Sequence, residues 1–189
     1  MGDPNDIEAF VKTILSKNTG MAMWYLFEGN PEDSNAEGFT PLTALLIKGS
    51  QMSSEQMPSK KQEELINLFA QAEVNFNRPD QKGNYPIFAA LFADFPVALK
   101  VFNNADVTLT LPDKDVNLIM MAAGLGLEDV INFVSSEFDL DAQDVDGNTA
   151  MHHAVIADRQ FVSRMKQSQP RDVVSTLCEL GADPTLENN

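Results

Sequence analysis

The sequence predicts an all-α fold in which short helix–turn–helix units stack on one another. Two observations predict it: apolar residues recur at helical spacing, and one sequence pattern recurs along the chain. The pattern begins at a polar turn, continues through a closely packed apolar segment and a second apolar segment, and ends in a polar exit. It occurs at 38–45, 83–90, 117–123 and 147–154 of the 189 residues. A single helix pair cannot bury its own apolar face, so such units must stack.

Residues 1–34 are predicted to form an N-terminal helical cap. Asp6 can cap a helix that runs to about Ser16, and a second helix runs from Met21 to Glu28. Gly29 follows directly and suits the end of that second helix. The pair is therefore interpreted as a degenerate first unit.

Each later unit begins with a capping signal and ends in an acidic exit. Thr40 and Thr149 can cap the first helix, and Pro41 suits its first position, where a missing N–H costs no hydrogen bond. Segments 63–70 and 128–135 carry apolar residues at helical spacing, which predicts a second, amphipathic helix. Acids at 73, 106 and 139 in the exits lie 33 residues apart, twice in succession.

This joint pattern resembles the ankyrin repeat, which has a unit of about 33 residues, a T-P-L-H core and a G-A-D-V-N exit. The best match runs from Asp144 to Ala154 and closes at 181–184, whereas the third copy lacks the Gly and Thr-Pro positions. The resemblance implies four degenerate repeats over residues 35–187, stacked as a solenoid with short hairpin fingers. It also implies that His152 hydrogen-bonds to backbone between repeats. Divergent ankyrin proteins of this kind include effectors of intracellular bacteria.

Two units are longer than the family pattern, with extra residues between inner and outer helix near 49–62 and 157–171. Three interpretations stay open: the insertions extend the inner helix and pack on the next unit, they form a partner-binding edge, or they are disordered. The Ser, Gln and Met content of 50–59 favours disorder for that stretch. The insertions hold six of the 13 basic residues, namely Lys60, Lys61, Arg159, Arg164, Lys166 and Arg171.

The charge balance excludes several classes of partner. Acids outnumber bases 28 to 13, giving a formal charge of −15. A nucleic acid or an anionic membrane needs a basic face, so neither is expected as a partner. No apolar run reaches the roughly 18 residues of a membrane span, and the acidic start is unlike a signal peptide. Cys178 is the only cysteine, so no internal disulfide can form, and a reducing compartment is favoured. We therefore predict the cytoplasm, or a host cytoplasm if the chain is a secreted effector. We also predict a monomer.

No catalytic residue, metal site or cofactor is predicted. Cys178 could act as a thiol nucleophile with His152 or His153, but His152 occupies the structural histidine position of the repeat. The acids at 139, 141, 144 and 146 resemble a cation loop, yet an EF-hand would need acids where Ala142 and His153 stand. No glycine-rich phosphate loop is present.

The resemblance implies protein binding through a concave face of finger tips and inner helices. The acidity near 137–146 predicts a partner with a basic patch, and both Asp144 and Asp146 are expected to be exposed there. The alternative is an inhibitor or regulatory subunit that occludes or docks an enzyme and binds through the basic insertion edge. By position, the implied contact residues are Gln81, Lys82, Asn84, Phe92, Lys114, Asp115, Leu125, Asp144, Val145, Asp146 and Asn148.

Overall fold

A computed structural model describes residues 3–157 and 170–189, with side chains at 3–156 and 173–189. In these residues the chain is all-helical, and the single β-type pairing is one bridge between Leu111 and Val116. Two 3-10 turns, Ala90–Phe92 and Ser135–Glu137, follow α5 and α8. The helices are α1 (Ile7–Leu15), α2 (Thr19–Glu28), α3 (Pro41–Ser50), α4 (Ser59–Gln71), α5 (Pro86–Ala89), α6 (Phe95–Phe102), α7 (Leu118–Leu125), α8 (Glu128–Val134), α9 (Ala150–Ala157) and α10 (Pro170–Glu179).

The helices pair and stack within two compact units, Met1–Asp106 and Val107–Asn189. In the first unit, α1 packs on α3 and α3 on α5, while α2 packs on α4 and α4 on α6. In the second unit, α7 packs on α9 and α8 on α10. Each unit therefore has two rows of helices. We call α1, α3, α5, α7 and α9 the inner helices and α2, α4, α6, α8 and α10 the outer helices. The finer division into a cap at 1–34 and repeats at 35–187 stays a prediction.

Each unit buries its own apolar core between the two rows. In the first unit, Phe10 stacks on Tyr25 at 5.0 Å and on Phe69 at 6.2 Å between ring centroids, and all three are buried. In the second unit, Ile119 of α7 and Leu177 of α10 are fully buried. Aromatic stacking adds to the burial of apolar area that stabilises such a core.

Side-chain caps decide where several helices begin. Asp6 and Thr40 cap α1 and α3 as predicted, because each side-chain oxygen accepts a backbone N–H of the first turn. The second helix begins at Thr19 instead of the predicted Met21. The reason is Asn18, whose side chain accepts the Met21 N–H at 3.1 Å and provides an earlier cap.

The first insertion does not extend the inner helix. α3 ends at Ser50, and the outer helix α4 is the longer one, beginning at Ser59 instead of the predicted 63. Residues 51–58 form hydrogen-bonded turns where the composition favoured disorder. Met57 anchors them: its N–H donates to the carbonyl of Ser53 at 2.8 Å, and its side chain is buried.

The polar exits follow a register that the acid spacing misses. Asn75, Asp139 and Asp183 each accept, with a side-chain oxygen, the backbone N–H two residues later, at 2.8–3.0 Å. The counterpart of Asp139 is therefore Asn75, and the pairing of Glu73 with the other exit acids is wrong. Glu73 has a φ of +56° and stands where Gly181, with a φ of +102°, stands in the last exit. The sequence alone does not distinguish an acid whose side chain accepts a hydrogen bond in the loop, as in Asp139, from one that takes a left-handed backbone conformation, as in Glu73.

Within residues 3–157 and 170–189, no helix combines the length and the apolar character that crossing a bilayer requires.

The cap of α7 provides a direct test of helix placement. The side-chain oxygen of Asn117 accepts the N–H of Met120 at 3.0 Å, and Asn117 is buried. Asn117→Ala should lower the free energy of unfolding by about 1 kcal/mol, the usual loss for such a cap. Urea unfolding followed by circular dichroism should show a lower midpoint with an unchanged slope. Asn132→Ala, on the exposed side of α8, is the control, and an equal loss there would contradict the capping role.

Candidate partner-binding surface

The loops between successive helix pairs form four short hairpins, which we call fingers 1 to 4, at residues 35–39, 80–84, 111–116 and 144–148. In each finger the N–H of the first residue donates to the carbonyl of the last, at 2.9, 3.1, 2.8 and 3.0 Å. Fingers 1 and 2 belong to the first unit, and fingers 3 and 4 belong to the second. Most of the implied contact residues lie on these loops.

One side chain closes fingers 1, 2 and 4 from within. Asn35, Asp80 and Asp144 stand at the first position, and each Oδ1 accepts the backbone N–H groups two and four residues later, at 2.8–3.1 Å. A glycine stands at the fourth position of each, with φ between +78° and +85°. Only glycine adopts this conformation without strain. The side chain provides acceptors for two backbone N–H groups of the turn, and the glycine allows the backbone to reverse direction.

Finger 3 reaches a similar shape by another route. Its first residue is Leu111, which has no polar side chain to close the loop. The N–H groups of Lys114 and Asp115 instead donate to the Leu111 carbonyl at 3.1 and 3.0 Å. Asp115 has a φ of +50° and so takes the left-handed conformation that glycine has elsewhere. The weakest copy of the sequence pattern therefore still forms a finger.

Neighbouring fingers are bonded to each other within each unit. The N–H of Gln81 donates to the carbonyl of Gly38 at 3.1 Å, and the N–H of Val145 donates to the carbonyl of Lys114 at 3.2 Å. The N–H of Asn189 donates to the carbonyl of Asp146 at 3.2 Å, which continues the same pattern beyond finger 4. The tips within a unit are thereby held at a defined spacing.

The expectation that Asp144 is exposed is wrong. Its side chain is only 4% exposed, and its Oδ2 lies 2.8 Å from Nε2 of His153 on α9. Burial raises the pKa of Asp144, but the hydrogen bonds from Asn148, His153 and Asp146 outweigh burial and hold that pKa below its usual value. Asp144 therefore fastens finger 4 to its own inner helix instead of facing a partner.

Asp80 has the corresponding role in finger 2. It is buried, and its Oδ2 accepts the Thr43 hydroxyl at 2.9 Å and the side-chain amide of Asn84, also at 2.9 Å. The amide of Asn148 lies 3.4 Å from Asp144 Oδ2 in finger 4. Asn84 and Asn148, both implied contact residues, are thus half-buried and bonded within their own fingers.

The remaining implied contact residues are more accessible. Phe92 ends the 3-10 turn after α5 and is 48% exposed, while Leu125 ends α7 and is half-buried. Val145 is 54% exposed, an unusual position for an apolar side chain. The other implied contact residues that are exposed at the finger tips are Gln81, Lys82, Lys114, Asp115 and Asp146.

Charge differs between the fingers of the two units. Fingers 3 and 4 expose the carboxylates of Asp113, Asp115 and Asp146 and the ammonium of Lys114. In the first unit, Lys82 is exposed, with Nζ 3.8 Å from the ring centroid of Phe39. Glu37 of finger 1 is paired with Lys48 at 2.7 Å, and this hydrogen bond lowers the pKa of Glu37. The acidic surface that the sequence predicts therefore belongs to the second unit.

The basic insertion edge is described only in part. Lys60 is exposed on the first turn of α4, and Lys61 forms an ion pair with Glu64 at 2.9 Å. Arg159, Arg164 and Lys166 of this edge lie outside the described residues. Arg171 lies on α10, where the structure describes its backbone alone.

The histidines are bonded to neighbours within the second unit. His152 Nδ1 lies 3.0 Å from Thr149 Oγ1 and accepts the Thr149 N–H at 3.2 Å, where the resemblance implied a backbone partner in a neighbouring repeat. The sequence pattern assigned a structural role to His152 and did not predict the contact of His153 with Asp144. The usable signal is the position of Asp144, which opens finger 4 nine residues before His153. Cys178 is exposed on α10. In the described part of the chain, no group of His, Cys, Asp and Glu could hold a metal ion.

No protein-family model matches this chain, and no curated protein matches it. Among solved structures, it is similar to a chain of the Bd0816 predatory endopeptidase from Bdellovibrio bacteriovorus in complex with immunity protein Bd3460. The likeness covers 96% of this chain and 85% of the other, with a TM-score of 0.69 and 16% sequence identity. At this identity the likeness establishes the fold alone.

The buried role of Asp144 can be tested by truncation. Asp144→Ala removes the acceptor for two backbone N–H groups and for His153, so the free energy of unfolding should fall by about 2 kcal/mol. Asp146→Ala, an exposed residue of the same finger, is the matched control and should change that free energy by less than about 0.5 kcal/mol. Urea unfolding measures both, and equal effects would show that Asp144 does not hold the finger.

The charge of Asp144 predicts a pH dependence. Its pKa is lower in the folded protein than in the unfolded chain, where it is about 3.9. The folded state therefore binds fewer protons, and this stabilisation is lost as the pH falls through the folded-state pKa. Asp144→Asn keeps an Oδ1 acceptor, as Asn35 does in finger 1, but carries no charge. The stability difference between wild type and Asp144→Asn should shrink between about pH 5 and pH 2; a constant difference would argue against a role for the charge.

Proposed function

We propose that this chain is a non-enzymatic binding protein that inhibits an enzyme, in the manner of an immunity protein. The observation that carries the proposal is the likeness of fold, over nearly the whole chain, to a chain of an endopeptidase–immunity protein complex. An endopeptidase is accordingly the enzyme class that we propose as the target. In the same proposal the helix pairs are ankyrin-type repeats, stacked as a solenoid, in a divergent member of that family.

The construction of the fingers supports a role in binding. Association is stronger when the contacting groups are already ordered, since less conformational entropy is lost. Each finger is closed by its own hydrogen bonds and bonded to its neighbour within the unit. This leaves Gln81, Val145 and Asp146 as side chains held at defined positions and accessible to a partner.

The charge of the second unit supports a basic contact patch on the enzyme. Exposed carboxylates on fingers 3 and 4 would attract such a patch and speed its association. The basic insertion edge is the rival surface, because Lys60 is exposed and without an ion pair among the described residues. We favour the fingers, since their positions are defined by hydrogen bonds, and inhibition would follow if they cover the active site.

Capture followed by an activity assay tests the function. The intact chain, immobilised, is expected to retain an enzyme from a lysate of its source cells, and the eluted enzyme should hydrolyse a fluorogenic peptide. Adding the soluble chain back should abolish hydrolysis at about equimolar ratio, as for a tight complex. A captured protein that cleaves the peptide equally well with excess chain would refute inhibition. A captured protein without peptidase activity would refute the proposed enzyme class.

Charge variants distinguish the two surfaces. Asp113, Asp115 and Asp146, changed together to Asn, should slow association by about threefold to tenfold and weaken its dependence on salt. The rival set, Arg159, Arg164 and Lys166 changed to Gln, should leave association unchanged. Stopped-flow or surface-plasmon measurements at two ionic strengths report both effects.

Asp33→Asn, Asp129→Asn and Glu28→Gln, combined in one variant, remove three exposed acids outside the fingers and so provide the control for net charge. If this control slows association as much as the finger variant, the effect is due to net charge alone and the finger assignment fails.

A further inference from the structure

The first insertion forms one wall of a cleft within the first unit, which we call the insertion cleft. Residues of 49–62 line one side, and Phe92 and Asp94, before α6, line the other. Its volume is about 130 Å³, room for about four water molecules. Pockets for whole organic ligands occupy roughly 300–1,000 Å³. The insertion cleft is therefore the size of the polar end of one side chain.

Gln62 places a buried, unsatisfied acceptor beside this cleft. Its side chain lines the cleft, it is only 6% exposed, and its Oε1 has no hydrogen-bond partner among the described residues. The amide cannot simply be reversed, because Nε2 faces the carbonyls of Met57 and Gly49 at 3.4 and 3.5 Å. Reversal would set an oxygen against two oxygens. A buried acceptor without a partner is unfavourable, and a ligand with N–H donors would satisfy it.

Asp94 brings a negative charge to the same cleft. It stands just before α6, where an aspartate commonly caps the helix, yet its side chain gives no capping bond. Its Oδ2 instead accepts the hydroxyl of Ser59, the first residue of α4. A carboxylate can accept about four hydrogen bonds, so further donors can be accommodated. Asp94 is the one charged residue among the described residues that line the cleft, since neither Lys60 nor Lys61 lines it.

Phe92 adds an aromatic surface to the rim. Phe92 is 48% exposed, and part of the residue lines the cleft. Aromatic faces attract cations, and the guanidinium of arginine stacks on them more often than the ammonium of lysine does. A carboxylate, an amide oxygen and an aromatic face around a small cleft together match a planar cation with several N–H donors.

We propose that the insertion cleft binds a guanidinium group, supplied by an arginine side chain of the protein that this chain binds. The guanidinium donates to Asp94 and stacks on Phe92, and a small rotation of the Gln62 side chain brings its buried Oε1 to a further N–H. The chemistry of the cleft stands on the residues that line it, whereas the source of the arginine rests on the proposed function. The assignment gives the first insertion a role that a regular repeat lacks.

The chemistry is tested with a small probe. N-acetyl-arginine amide, titrated into the isotope-labelled intact chain, should shift the side-chain amide signals of Gln62 in a saturable way, with a Kd of about 1–10 mM, as expected for one charged group. N-acetyl-citrulline amide has the same shape without the charge and should bind at least about tenfold more weakly. Asp94→Asn, which keeps the acceptor for Ser59, should weaken arginine binding by about tenfold. Phe92→Leu should weaken it by a few-fold.

Three results of the probe titration would overturn the proposal: no saturable shift with arginine, equal binding of citrulline, or full binding by Asp94→Asn. Asp33→Asn, an exposed acid that does not line the cleft, is the control variant and should bind the probe like wild type.

The source of the arginine is tested with the captured enzyme. Asp94→Asn should raise the inhibition constant by about tenfold, while Asp33→Asn leaves it unchanged. If Asp94→Asn loses the probe but inhibits normally, the cleft takes a free guanidinium compound and the assignment to a partner's arginine is overturned. If the wild-type chain inhibits no enzyme, the proposed function fails while the probe titration still decides the chemistry of the cleft.

Discussion

A chain that passes from one helix pair to the next must satisfy the backbone polar groups of the connecting loop, and the described residues contain no sheet that could pair with them. One short polar side chain meets this constraint in fingers 1, 2 and 4. Asn35, Asp80 and Asp144 accept two backbone N–H groups each, and a glycine in a left-handed conformation closes the loop. The spacing of successive inner helices and the row of finger-to-finger hydrogen bonds follow from that closure.

The same constraint changes how the acidic character of this protein is understood. Two of its acids, Asp80 and Asp144, are buried and hydrogen-bonded within their own fingers, so a partner does not contact their carboxylates directly. The acids that a partner can meet on the fingers stand at other positions, at Asp113, Asp115 and Asp146. The charge pattern of the sequence therefore predicts the negative surface charge of fingers 3 and 4 correctly. It wrongly assigns Asp144, a buried structural residue, to the contact surface.

The first insertion shows how a stack of helix pairs can accept extra residues without losing its packing. Residues 51–58 turn back onto their own helix pair, with Met57 buried, and α4 is lengthened at its start. Helices α3 and α4 still pack on each other and on their neighbours in the first unit. The cost falls on Gln62, whose buried oxygen has no partner in the described chain. An insertion that is tolerated by the fold thus creates a polar cleft that the regular unit does not have.

The sequence by itself determined the helical character, the order of the helix pairs, and the capping of α1 and α3, because helical periodicity and capping depend on residues close together in the chain. It also located the fingers, since turn residues act locally. Only the tertiary structure decided that Asp144 is buried against His153, that Asn75 is the counterpart of Asp139, and that Gln62 and Asp94 meet at one cleft. These features depend on contacts between residues distant in the chain, and local patterns carry no information on which distant groups will share a hydrogen bond or remain without one.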